Sequence, residues 1–143
     1  MKLNQEEIKQ IIPHRHPFLF LDEIIELESL KYGVGVKYVK EDDYFFEGHF
    51  PGKPVMPGVL IIESLAQVGA VILLSSSEYK NKIAYFTGIQ KAKFRKSVVP
   101  GDKLVLKCEL TKIRKSFGFG LARAYVNDQL VCEAEISFAI GEL

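Results

Sequence analysis

A chain of 143 residues, 48% hydrophobic and 26% charged, has the size and balance of one globular domain that buries its own core. Nineteen basic against eighteen acidic residues leave a formal charge of +1, which excludes polyanion binding by bulk electrostatics and makes any basic patch local. Glu63 interrupts the most apolar stretch, residues 55–74, so no uncharged run reaches the roughly 18 residues of a membrane span.

The opening Met1-Lys2-Leu3-Asn4-Gln5-Glu6-Glu7 carries acids where a secretory signal carries its apolar segment. Residues 4–12 offer a capping Asn4, early acids and Ile8, Ile11 and Ile12 at helical spacing, closed by Pro13, and predict a short helix. Residues 18–27 and 31–40 are rich in Ile, Val, Leu and aromatics and predict paired strands, the second weakened at Gly33 and Gly35. Residues 41–57 mix charges, aromatics, Gly and Pro, the composition of a shaped loop. From Pro57 to about Ser75 only Glu63, Ser64, Gln67 and Ser75 are polar, which predicts a helix buried nearly all round.

Strand-like alternation returns at 82–94, 103–114, 117–126 and 130–140, with turn signals at Pro100-Gly101-Asp102 and Asn127-Asp128. Cys108 and Cys132 fall in such stretches and read as packed thiols of a reducing, cytoplasmic compartment rather than a disulfide. No repeat and no linker divides the chain, which predicts a single domain over residues 1–143. Strands grouped on either side of one helix predict an α+β fold, a mainly antiparallel sheet wrapped around that helix.

Three features carry chemistry. Glu63 lies in an apolar helix with no cation near it in sequence, so it is neutralised, paired through tertiary contacts to a strand Lys or Arg, or functional. Gln67, one turn later, is placed to hydrogen-bond it. His49, in Glu47-Gly48-His49-Phe50-Pro51-Gly52, is a group able to exchange protons near neutral pH on a constrained backbone; alone it reads equally as a solvent-facing loop histidine. The helix start at Pro57-Gly58 leaves the Gly58 and Val59 N–H groups without intrahelical partners at the positive end of the dipole, which suits a developing oxyanion or is ordinary helix initiation. Dehydrating a 3-hydroxyacyl thioester needs a base, an oxyanion donor and an acid, the roles His49, Gly58 N–H and Glu63 are able to fill.

The run His49-Phe50-Pro51-Gly52-Lys53-Pro54-Val55-Met56-Pro57-Gly58-Val59-Leu60, with Glu63 and Ala66-Gln67, resembles the signature of the 3-hydroxyacyl-[acyl-carrier-protein] dehydratases of bacterial fatty acid synthesis. Pro13-His14-Arg15-His16-Pro17-Phe18-Leu19, Lys93-Phe94-Arg95 and Pro100-Gly101-Asp102 extend the resemblance over nearly the whole chain; His16 and Ser64 depart from the family's usual Tyr and Ala. The resemblance implies a hot-dog fold, with His49 as catalytic histidine, Glu63 as catalytic acid, and Gly58 with Val59 as backbone donors to the thioester carbonyl. It implies a homodimer whose site takes the histidine from one subunit and the acid from the other, with dimers assembling as a trimer of dimers. Glu at position 63 favours the chain-elongating dehydratase over the bifunctional dehydratase and isomerase.

Lys91, Lys93 and Arg95 are predicted to share one strand face, with Lys96 beside them, either as a solubilising edge or, as the resemblance implies, as the docking face for an acyl carrier protein bearing a phosphopantetheine-linked 3-hydroxyacyl chain. Tyr85 reads as core, or by the same resemblance as a gate to the acyl tunnel. His14 and His16, without nearby acids or thiols in sequence, fall short of a metal site; they and Arg15 brace a loop or a substrate entrance, and no cofactor is expected. A thioesterase in which Glu63 activates water, and a non-catalytic acyl-binding module, are the rival readings. A nucleic-acid partner is not expected.

Overall fold

A computed structural model describes residues 1–142. In chain order these are β1 (Leu3–Asn4), α1 (Gln5–Lys9), β2 (Glu23–Glu28), β3 (Tyr32–Tyr38), a 3-10 turn at Tyr44–Phe46, α2 (Gly58–Leu74), β4 (Lys82–Phe94), β5 (Lys103–Arg114), β6 (Phe117–Val126) and β7 (Gln129–Glu142). The strands form one sheet in the order β1-β2-β3-β5-β6-β7-β4, with every neighbouring pair antiparallel. α2 lies against this sheet, so the α+β arrangement of one long helix and an antiparallel sheet is the one observed.

Beyond its first turn α2 is apolar all round because it is covered all round: 13 of its 17 residues are buried, leaving that part no solvent face that would need polar side chains. Leu65, Val68, Val71, Ile72 and Leu73 are fully buried, and each contributes about 1.5–3 kcal/mol of transfer free energy. Gly33 and Gly35 are where the helix seats. A Cβ at Gly35 would stand 2.8 Å from Val68 Cγ2, and one at Gly33 would stand 3.0 Å from Ile72 Cγ1. The glycines that weaken β3 as a strand therefore admit α2 to it.

The elements differ from expectation mainly at their ends. Asn4 caps α1 through the Glu7 N–H, with the Glu7 carboxylate accepting the Asn4 N–H in return. α1 stops at Lys9 rather than Ile12, since Pro13 disfavours helical geometry in the residue before it; Ile12 is buried from a turn instead. β2 begins at Glu23, not residue 18: Phe20 and Leu21 are buried, but as part of an irregular strap rather than a ladder. Pro57 stands one position before the helix, with Gly58 the first helical residue, and its carbonyl accepts the Leu60 and Ile61 N–H groups. Asn127 and Asp128 both have positive φ, 50° and 63°, the hairpin geometry that these short polar side chains tolerate between β6 and β7.

Cys108 and Cys132 are free and buried, their thiols pushed up to about 12 and about 11 by desolvation. No helix among the described residues is long and apolar enough to cross a membrane.

Candidate active site

Glu63 projects from the second turn of α2, its side chain 18% exposed. Burial raises its carboxyl above the usual carboxylate range, partly offset by a hydrogen bond from Gln67. Among the described residues no Lys or Arg nitrogen lies within 4 Å of its carboxylate oxygens, so the reading of Glu63 as half of an ion pair with a strand cation fails within the chain.

Gln67 is fully occupied. Its side-chain carbonyl accepts the Phe20 N–H at 2.8 Å, and its amide donates to Phe18 O at 2.8 Å and to Glu63 Oε2 at 2.9 Å. The backbone partners decide the orientation of the amide, because an N–H faces one end and a C=O the other. Gln67 thus ties the 18–20 strap to α2 and points a donor at the acid.

His49 is held by its own loop. Val55 N–H donates to His49 O at 2.9 Å, Phe50 and Lys53 exchange backbone bonds at 3.0 and 2.9 Å, and Met56 N–H donates to Val98 O at 2.8 Å. Within this closed turn the imidazole Nδ1 stands 2.6 Å from Val55 O. A carbonyl only accepts, so Nδ1 carries the hydrogen and, when the ring is neutral, Nε2 holds the lone pair. That is the tautomer a general base requires. The ring also stacks on Phe50 at 3.9 Å.

At the helix start Val59 is 69% exposed, and the Gly58 and Val59 amides precede the first intrahelical bonds. The space above Gly58 is not empty. The ring of Phe94, at the end of β4 and 54% exposed, lies so close that a Cβ on Gly58 would stand 2.6 Å from it. In the sequence Phe94 stands out only as part of Lys93-Phe94-Arg95, and nothing local places its ring over Gly58, 36 residues away.

The chain does not bring His49 to Glu63. Among the described residues the imidazole within 4 Å of the Glu63 carboxylate is that of His14, with Nε2 3.8 Å from Oε2. His16 is exposed, while Arg15 braces the turn after α1 by donating to Lys9 O, Ile12 O and His14 O. Ser64, the departure beside the acid, is buried and donates to Leu60 O at 2.7 Å.

On β4, Tyr85 is 53% exposed against Gly141, whereas Phe86 packs on Phe138, so the pair is split across the sheet. The basic run is less regular than its spacing. Lys91 sits at positive φ, 52°, in a bulge between Gln90 and Lys93, and Arg95 lies beyond the strand. Lys91 pairs with Glu135 at 3.4 Å, and Arg95 grips Glu133 through Nε at 2.8 Å and a terminal nitrogen at 2.7 Å. Lys96 donates to Gln129. Lys91 and Lys93 line one concavity with Arg123, Glu133 and Glu135.

Residues 12–135 match the FabA-like domain family. The 3-hydroxyacyl-[acyl-carrier-protein] dehydratase FabZ of Clostridium botulinum (strain Loch Maree / Type A3) is 62% identical over 140 residues, covering 98% of this chain and 97% of that protein. The FabZ of Desulforamulus reducens is 54% identical over 140 residues, covering 98% and 99%. Among solved structures, the dehydratase heterocomplex ApeI:P of Xenorhabdus doucetiae has a TM-score of 0.78 at 18% identity, covering 92% of this chain and 89% of that one, a likeness that shows the hot-dog fold. The chain belongs to the FabA-like family, among the FabZ-type 3-hydroxyacyl-[acyl-carrier-protein] dehydratases.

Proposed function

We propose that this enzyme dehydrates a (3R)-hydroxyacyl chain carried on acyl carrier protein to the trans-2-enoyl thioester during fatty acid elongation in the cytoplasm, in a site shared by two subunits. His49 Nε2 of one subunit removes the proton from C2. The C–H electron pair moves toward the thioester carbonyl, whose oxygen is stabilised by the Gly58 and Val59 amides. As that pair returns to form the C2=C3 double bond, the C3–O bond breaks and Glu63 of the other subunit protonates the departing hydroxyl, which leaves as water. The site is restored when His49 loses a proton and Glu63 regains one.

The observation that carries this reading is the opposed preparation of the two groups. The Val55 carbonyl fixes the hydrogen of His49 on Nδ1 and leaves Nε2 as the nitrogen that can take a proton, while burial shifts Glu63 toward its protonated form. The composite site is supported by the absence of a His49–Glu63 contact within the chain. It is supported also by β4, a 13-residue strand with one unpaired edge and with Tyr85, Ile89 and Phe94 exposed along it, a surface that pairing with a second copy would cover. On the same reading the dimers assemble as a trimer of dimers, with Tyr85, exposed on β4, at the mouth of the acyl tunnel.

The test is conversion of a 3-hydroxyacyl carrier thioester by His49→Ala and Glu63→Ala, each expected to lose about 10²–10⁴-fold in kcat with the fold retained. Full activity in either variant, or release of free thiol in place of the enoyl product, would overturn the assignment.

A further inference from the structure

His14 is half-buried, and the reaction as written does not use it. Its Nε2 faces Glu63 Oε2 at 3.8 Å, and its Nδ1 is buried with no hydrogen-bond partner among the described residues. Two neutral tautomers are available. Hydrogen on Nδ1 would bury an N–H with nothing to accept it. Hydrogen on Nε2 aims the donor at Glu63 and leaves only a lone pair unpartnered, the lesser cost.

The approach has the geometry of an ion pair but not its charges. Desolvation, helped by the Arg15 guanidinium, lowers the His14 imidazole, and desolvation raises the Glu63 carboxyl, so both groups are held toward their neutral forms. A separation of 3.8 Å is longer than a hydrogen bond, and catalytic contacts of this kind are often long until substrate is bound.

The second fixed contact falls on the same atom. Gln67 donates to Oε2 at 2.9 Å, and Oε1 receives no hydrogen bond among the described residues. In the protonated form of Glu63, the oxygen that accepts from an amide and faces an imidazole N–H is the carbonyl-like one. The acidic hydrogen is then on Oε1.

We infer that His14 is a positioning residue for the acid: with Gln67 it donates to Glu63 Oε2, keeps the transferable proton on Oε1, and stabilises the carboxylate left after that proton has gone to the departing hydroxyl. The inference rests on the reading of Glu63 as the acid. The groups facing Glu63 within the chain are His14, with Arg15 next to it in sequence, and the neutral Gln67 on α2; His16 is exposed, and the proposed composite site adds the partner's His49.

The test compares His14→Leu, which keeps apolar bulk but donates nothing, with His14→Gln, whose amide supplies an N–H at similar reach. Glu63→Gln is assayed in parallel. For His14→Leu, kcat falls about tenfold or more, a fraction of what acid–base catalysis supplies, with KM little changed. Its upper pH limb, reporting loss of the acid's proton, moves to higher pH because the carboxylate has lost a donor. His14→Gln keeps kcat within about threefold of the parent and leaves the limb in place, as one neutral donor replaces another. A packing role predicts the reverse order, since Leu fills the space; His14→Leu equal to or better than His14→Gln, or equal loss in both, overturns the inference. Should His14→Leu not fold, His14→Asn, a donor too short to reach, takes its place with the same expectation. An active Glu63→Gln would instead sink the acid assignment itself, so the two failures are distinguishable.

Discussion

Gln67 and Glu63 sit one turn apart on α2, joined by a 2.9 Å hydrogen bond, and Gln67 also closes two backbone bonds to the strap at Phe18 and Phe20. One buried amide therefore sets both the position of the proposed acid and the path of the 18–20 segment. Gln67→Leu leaves a buried Phe20 N–H and the Phe18 carbonyl unpaired, so urea unfolding at fixed protein concentration should show a loss of about 2–4 kcal/mol. A loss below about 1 kcal/mol would mean that water replaces the amide without penalty.

The raised Glu63 carboxyl has a stability consequence with a definite sign. The folded state binds the proton more tightly than the unfolded chain, so stability is full below the unfolded carboxylate range and falls as pH rises toward the folded value. Glu63→Gln should accordingly be more stable than the parent at pH 7, with the advantage shrinking as the pH drops into the carboxylate range. His14 works the opposite way: its lowered imidazole costs stability as pH falls below its ordinary range. Unfolding curves at several pH values check both, and a Glu63→Gln advantage that grows toward low pH would contradict the desolvation account.

Gly69 faces Phe138 across the core, and an added Cβ would stand 2.6 Å from the ring's Cζ. Gly69→Ala should lose about 1–3 kcal/mol through overpacking, even though alanine is the better helix former. Phe138→Leu in the same chain should recover part of that loss. Independent, additive effects would show that the two positions do not meet.

At Gly58 the clash is with a ring that solvent allows to move, so the expected effect is on turnover rather than folding. Gly58→Ala should lower kcat/KM strongly while unfolding stability shifts by no more than about 1 kcal/mol, since the displaced Phe94 is half-exposed. Unchanged activity would remove Gly58 from the proposed oxyanion contact.

The basic run makes a graded prediction for carrier docking. Arg95 is committed to Glu133 and Lys91 to Glu135, whereas Lys93 forms no ion pair within 4 Å among the described residues. Lys93→Glu should raise KM for carrier-linked substrates, less so in high salt, and leave short thioester mimics unaffected. Equal effects on both substrates would argue against docking there.

Much of this was legible in the sequence because local chemistry decided it. β4, β5 and β6 begin and end at the expected residues, since turn residues interrupt clear alternation, and the burial of α2 followed from its lack of a polar face. Residues 18–22 read as strand in the sequence because apolar residues look alike whether a ladder or a glutamine side chain satisfies their backbone. The sheet order, with β4 joined to β7 rather than to a chain neighbour, has no local signal. Glu63 was visible as a carboxylate in an apolar helix, and Gln67 as its partner. His14 was not, because its approach to Glu63 spans 49 residues of sequence and depends on the strap that Gln67 ties down.

The central claim is that His49 and Glu63 act across a subunit boundary, and complementation tests it most directly. Inactive His49→Ala and Glu63→Ala subunits, mixed under conditions of verified exchange, should form heterodimers that regain one intact site in each, with dehydratase activity approaching a quarter of the parent's at equal mixing by statistical assortment of subunits. No recovery despite exchange would place both groups in one chain and contradict the composite site.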